Sequence, residues 1–247
     1  MVDLTPTVKP GPQGLAALWR GHVFLFDKTY ARPTYERSVG VRLLLMVVGL
    51  EALRLTVNLL DLRFTPKLAS SSDLLGLAVL SVRLIAGLQW SQIGSQRWST
   101  WNATEKSYFI QILLIANIVF AIVLAPQLRA MLAEPSVMTR VWTVFVPYFV
   151  YGFYQEVLYR GMVQTELVRR WRPLSGILVS NALFTFGPLH YHYFFSSASL
   201  ALPMFAAIFG MGLVFAMLFH RSGNLWIVAV MHGIGNSYIV GSIGSVR

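Results

Sequence analysis

The chain has no cysteine. That excludes disulfides, a thiol nucleophile and any thiolate-held metal. It is also poor in charge: 12% of its residues are Asp, Glu, Lys or Arg, where a soluble domain carries about a quarter. Acids are the scarcer sign, 10 against 20 Lys and Arg. Internal repeats, low-complexity stretches and linkers long enough to separate two domains are all missing. No cleavable leader is expected, because residues 1–21 are polar, are broken by Pro6, Pro10 and Pro12, and lack a compact apolar core.

What is present is apolar. Hydrophobic residues make up 55% of a 247-residue chain. One core cannot hide that much, so hydrocarbon must solvate much of the surface. A membrane crossing needs about 20 mostly apolar residues. Seven stretches qualify: residues 39–60, 74–93, 108–128, 141–163, 174–190, 200–219 and 225–243. Glu51, Arg54 and Arg83 interrupt the first two; they read as an Arg–Glu pair and a snorkelling Arg. Residues 22–30, rich in aromatics, are a candidate interfacial helix and would make an eighth element. The expected fold is an all-α, polytopic integral membrane bundle of seven to eight helices. Residues 1–38 form a basic N-terminal segment, and 39–247 form the bundle.

The net charge of +10 is scattered between apolar runs and forms no contiguous stripe, so no nucleic-acid partner is expected. Topology explains it better. With the N-terminus inside, the inner segments hold Lys9, Arg20, Lys28, Arg32, Arg37, Arg42, Arg97, Lys106, Arg169, Arg170, Arg172 and Arg221. The outer segments hold Arg63, Lys67, Arg129, Arg140 and Arg247. Basic residues favour the cytoplasmic side. The expected location is therefore a prokaryotic inner membrane, with the N-terminus cytoplasmic and anionic lipids as contacts.

Ionisable residues inside such stretches point to function by default. Glu156 and Arg160 are four apart and share a helix face; alone, they read equally well as an ion pair that eases insertion. Pro188 ends or kinks its helix and places His190 at a break, while His192 reads as an interfacial residue. His232 and Asn236 share a face, with Gly233 and Gly235 allowing close approach of another helix. Together these residues form an acid–base and oxyanion inventory, provided their three helices converge on one cavity. The zinc-protease string HExxH and an intramembrane GxGD aspartate pair are absent, and Ser222 lies in a loop without a rhomboid-type setting.

The pattern resembles the CPBP family of CAAX-protease and bacteriocin-processing intramembrane proteases, also called the Abi family. That family carries EExxxR, then FxxxH, then HxxxN. Here they read Gln155-Glu156-Val157-Leu158-Tyr159-Arg160, Phe186-Gly187-Pro188-Leu189-His190 and His232-Gly233-Ile234-Gly235-Asn236. The match lies within residues 147–240. The resemblance implies an endopeptidase acting on a protein or peptide substrate near a membrane-associated, C-terminal segment. A carboxylate with His190 would activate water, His232 and Asn236 would stabilise the oxyanion, and Arg160 would orient the carboxylate.

Gln155 stands where the family has its first glutamate, and glutamine cannot act as a general base. Three readings stay open: Glu156 takes over that role, the chain is an inactive member, or the residue is an engineered Glu-to-Gln change. The first is favoured, since the rest of the motif set is intact. No cofactor is expected. In a metal-dependent alternative, Glu156, His190 and His232 would bind zinc. A non-catalytic membrane scaffold or chaperone, and a small transporter or proton relay, are the competing functions. Neither inverted repeats nor paired broken helices support the transporter.

Overall fold

The computed structural model describes residues 34–60, 68–187, 190, 194 and 198–243. The candidate interfacial helix at 22–30, Pro188 and His192 lie outside them. Most of the described residues are helical, and no strand occurs among them. In chain order the helices are α1 (Arg37–Leu60), α2 (Leu68–Leu84), α3 (Ala103–Val123), α4 (Ala125–Leu132) and α5 (Val137–Arg140). A wide π turn, Val141–Phe145, leads into α6 (Val146–Glu156). A second π segment, Val157–Gln164, leads into α7 (Thr165–Arg170), so that 137–170 is one continuous run. Then follow α8 (Pro173–Phe186), α9 (Ala198–Ser222) and α10 (Leu225–Ile243).

Sequence explains many of these boundaries. Asn102 caps α3 by accepting from the Glu105 amide at 2.8 Å, and the Glu105 carboxylate accepts from the Asn102 amide at 2.9 Å. The π turn 141–145 precedes Pro147, whose ring cannot continue a regular α ladder. Pro173 opens α8, and α8 stops at Gly187. The last expected span, 225–243, is the observed α10. The second differs: 74–93 was expected, and the helix is Leu68–Leu84. Gly87, at φ 70°, ends the helical path. The apolar run beyond it instead forms a 3-10 turn at Trp90–Ile93. Arg83 therefore sits in the last turn of α2 rather than within a span. Glu51 and Arg54 do pair, at 2.9 Å and buried, and Tyr154 donates to Glu51 at 3.2 Å.

α10 packs most extensively on α6, and α8 lies between α7 and α9. Arg160 and Gln164 bond to the carbonyls of Gly212 and Ala216 in the same order, so the 137–170 run and α9 are parallel. α10 runs antiparallel to both. One end of the bundle thus gathers the start of α1, the 85–102 connection, α7 and the α9–α10 turn. Arg37, Arg42, Arg83, Arg97, Lys106, Arg169, Arg170, Arg172 and Arg221 all belong to that end.

Large apolar side chains line exposed helix faces, among them Leu114, Ile115, Ile118 and Ile122 on α3. Among the described residues, two helices, Ala103–Val123 and Ala201–Ser222, are long and apolar enough to cross a membrane.

Candidate active site

The run 146–164 positions the first motif. Gln155 and Glu156 end α6, and the π segment begins at the next residue. A π segment releases backbone carbonyls that a regular helix would use. Buried hydroxyls bond to two of this segment's carbonyls, one of which, Arg160 O, also accepts from the Thr165 amide. Ser180 donates to Tyr159 O at 3.0 Å, and Thr165 donates to Arg160 O at 3.1 Å.

Motifs one and three meet at the α6–α10 crossing. His232 Nδ1 lies 2.7 Å from Glu156 Oε1, so it donates to the carboxylate. Asn236 Nδ2 donates to Gln155 Oε1 at 3.0 Å. Residues 155 and 156 point about 100° apart on a regular helix, yet both reach α10, because they engage different rungs of it. Two glycines make the approach close enough: a Cβ on Gly152 would lie 2.7 Å from both Cα and N of Gly233. Gly233 was expected to permit such an approach; its partner Gly152 was not foreseen.

Arg160 Nε lies 3.4 Å from Glu156 Oε2, and both side chains are fully buried. Arg160 Nη2 donates to Gly212 O at 2.8 Å, and its guanidinium sits 4.4 Å from the centre of the Phe184 ring. Oε2 of Glu156 and Nε and Nη1 of Arg160 have no hydrogen-bond partner among the described residues. The buried Asn181 Oδ1 and Thr185 Oγ1 on α8 are likewise unpartnered. Glu156 thus keeps one oxygen with acceptor capacity inside a polar interior.

His190 follows α8 in a turn. Its Nδ1 lies 2.9 Å from Phe184 O, so Nδ1 carries the proton and Nε2 is the basic nitrogen of the neutral ring. It is within electrostatic reach of Glu156. At 14 residues, α8 spans only about 21 Å. That is shorter than the drawn 174–190 span, and it lets His190 fold back toward the bundle interior.

Phe184 is the residue that the sequence motif points past. The motif's Phe186 is 60% exposed, whereas Phe184 is buried at 3%. Its ring contacts His190 at 4.6 Å, Tyr159 at 5.4 Å and His232 at 5.8 Å between centroids. Phe215 stacks on His232 from the other side, at 5.3 Å. Alternate positions 184 and 186 are equally apolar in a hydropathy reading, so only helix phase distinguishes them.

At the basic end lies another buried carboxylate, Glu166, which sequence reasoning passed over. Arg169 Nε and Tyr35 donate to its Oε2, each at 2.8 Å, while Arg169 Nη2 (2.8 Å) and Arg170 Nε donate to Oε1. Gly40 abuts it: a Cβ there would overlap the carboxylate. Burial pushes the Glu166 carboxyl up, but hydrogen bonds from Arg169, Arg170 and Tyr35 outweigh that and hold it below its ordinary value. Burial, and then the bond to Glu166, raises the Tyr35 hydroxyl well above the usual phenol range.

Among the described residues, no three His, Cys, Asp or Glu side chains are grouped to hold a metal ion. The family model described as Type II CAAX prenyl endopeptidase Rce1-like matches residues 136–238. Those residues include all three motifs read from the sequence. The matched stretch is under half of the chain, and it holds every residue of the Glu156, His190 and His232 neighbourhood. No curated protein and no solved structure matches. The match and the apolar helices agree with a membrane protein.

Proposed function

We propose that this chain is an intramembrane endopeptidase that hydrolyses a peptide bond near a membrane-associated, C-terminal segment of a protein substrate. The observation carrying this reading is the junction of motifs one and three: Glu156 with His232, beside Gln155 with Asn236, at a buried helix crossing. Seven elements cross the bilayer: α1, α2, α3, residues 141–163 of the 137–170 run, α8, α9 and α10. The basic end faces the cytoplasm of a prokaryotic inner membrane.

In this reading Glu156 Oε2 accepts the hydrogen bond of the attacking water and takes its proton, with His190 Nε2 as the partner base. Arg160 holds the carboxylate in place. Asn236 has a second Nδ2 hydrogen beyond the one given to Gln155, and His232, once its ring carries protons on both nitrogens, has Nε2–H. Both donate to the tetrahedral oxyanion. Gln155 cannot accept the water's proton, but its amide oxygen holds Asn236 as a carboxylate oxygen would. A metal-dependent alternative would have to open the 2.7 Å Glu156–His232 bond before both could become ligands. A second reading rests on Gln155 itself: with an amide at the family's glutamate position, the chain would bind substrates as a scaffold without cleaving them.

The test compares the chain as it stands with Glu156→Ala, Gln155→Glu and His232→Ala on a membrane-tethered peptide tail. The expected result is cleavage by the chain as it stands and loss of about 10²–10⁴-fold in Glu156→Ala, the range of general-base catalysis. Cleavage only after Gln155→Glu would refute Glu156 as the base. Binding without cleavage in every variant would establish the scaffold.

A further inference from the structure

A cavity of about 1060 Å³ opens at the basic end of the bundle, outside the candidate active site. Trp90, Trp98, Trp101 and Trp226 line it, together with Arg83 and Arg97. Glu156, His190 and His232 do not, and its lining contains no acid.

The two arginines are exposed, and neither guanidinium has an ion-pair or hydrogen-bond partner among the described residues. Lys106 adds a third positive charge, 5.5 Å over the Trp98 ring. The walls are built rather than incidental. Gly94, at φ 89°, turns the chain against Phe219 and accepts from the Leu225 amide at 2.8 Å. Trp101 Nε1 donates to Gln96 O at 3.3 Å, and Thr100 Oγ1 donates to Arg97 O at 2.8 Å.

Arg83 lies in the last turn of α2, and the exposed Leu77, Leu80 and Leu84 form a stripe along the same helix. A positive, indole-walled pocket therefore sits directly above an apolar face. That arrangement suits an amphiphile with an anionic head and hydrocarbon tails. Trp side chains favour the headgroup level of a bilayer, and basic pockets on the cytoplasmic side suit anionic headgroups.

The geometry points to a binding site for one anionic phospholipid. Its phosphate and headgroup enter between Arg83 and Arg97 against the indoles, and its acyl chains run down the Leu77–Leu80–Leu84 stripe. The inference needs the chain to sit in a membrane, but not to cleave anything.

Native mass spectrometry of the full chain, released from mixed phosphatidylcholine and phosphatidylglycerol micelles, tests it. One phosphatidylglycerol should stay bound in preference to phosphatidylcholine. Arg83→Gln and Arg97→Gln should each lower that retention about fivefold, and Arg172→Gln, at the same end but outside the cavity, should leave it unchanged. Equal retention of both lipids would overturn the proposal, as would retention unaffected by the two Gln changes. A millimolar excess of inorganic phosphate should leave the lipid in place; displacement would show that the pocket takes a free anion.

Discussion

Glu156 and Glu166 lie on the same helical run, both at 0% exposure, and both pair with arginine. Their surroundings differ. Glu166 has both oxygens filled, by Arg169, Arg170 and Tyr35, and its two arginines keep side-chain exposures of 19% and 23%. Glu156 has one oxygen filled by His232, and faces an Arg160 that is sealed and only partly satisfied. A fully satisfied carboxylate ties elements together: here, the start of α1 to α7. A buried carboxylate with an open oxygen costs stability and is the pattern expected of a reactive group. Burial alone separates nothing; the bookkeeping of hydrogen bonds does.

After loss of Glu156 itself, the largest effect should come from Asn236→Ala. If α6 and α10 hold the oxyanion donors, the change lowers kcat about 10²–10³-fold with little effect on KM. A fall in KM affinity alone would assign Asn236 to substrate binding.

Gly152→Ala should come next. Its methyl meets the Gly233 backbone, so α6 and α10 must separate, at a cost of about 1–3 kcal/mol, and the Glu156–His232 bond lengthens. Thermal melting in detergent and the cleavage rate should fall together. Gly76→Ala, inside α2 where a Cβ would meet nothing within 4 Å, should lower neither.

The smallest effect should be the acid response of Glu166. Its folded-state carboxyl lies below the ordinary value. Its contribution to stability is complete above the unfolded carboxylate range, about pH 4.3, and is lost as pH falls through the lowered folded value. Glu166→Gln should flatten that part of the stability–pH curve. An unchanged acid limb would mean the hydrogen bonds count for nothing.

Much of the helix order was legible, because apolar runs carry it; 225–243 was read residue for residue. The second span was misplaced, because a hydropathy reading cannot see a glycine at positive φ, and Gly87 closes α2 while the sequence stays apolar. The spacing of Glu156, His232 and Asn236 on polar-bearing helices anticipated that the helices of motifs one and three meet, as the Glu156–His232 and Gln155–Asn236 contacts do. Phe184 was not legible, because the motif directs attention to Phe186 and only packing reveals which ring turns inward. Glu166 was hidden for the opposite reason. Its neighbours Arg169, Arg170 and Arg172 read as inner-side basic residues, and nothing local signals that Tyr35 and Gly40, far away in sequence, close over the acid.

The most direct test measures Glu156→Gln and Glu166→Gln side by side in proteoliposomes, recording cleavage rate and melting temperature for each. The predicted result is crossed: Glu156→Gln abolishes cleavage and keeps the fold, while Glu166→Gln lowers the melting temperature and leaves the rate per folded molecule near that of the parent. Parental cleavage by Glu156→Gln, or lost cleavage by a fully folded Glu166→Gln, would contradict the assignment.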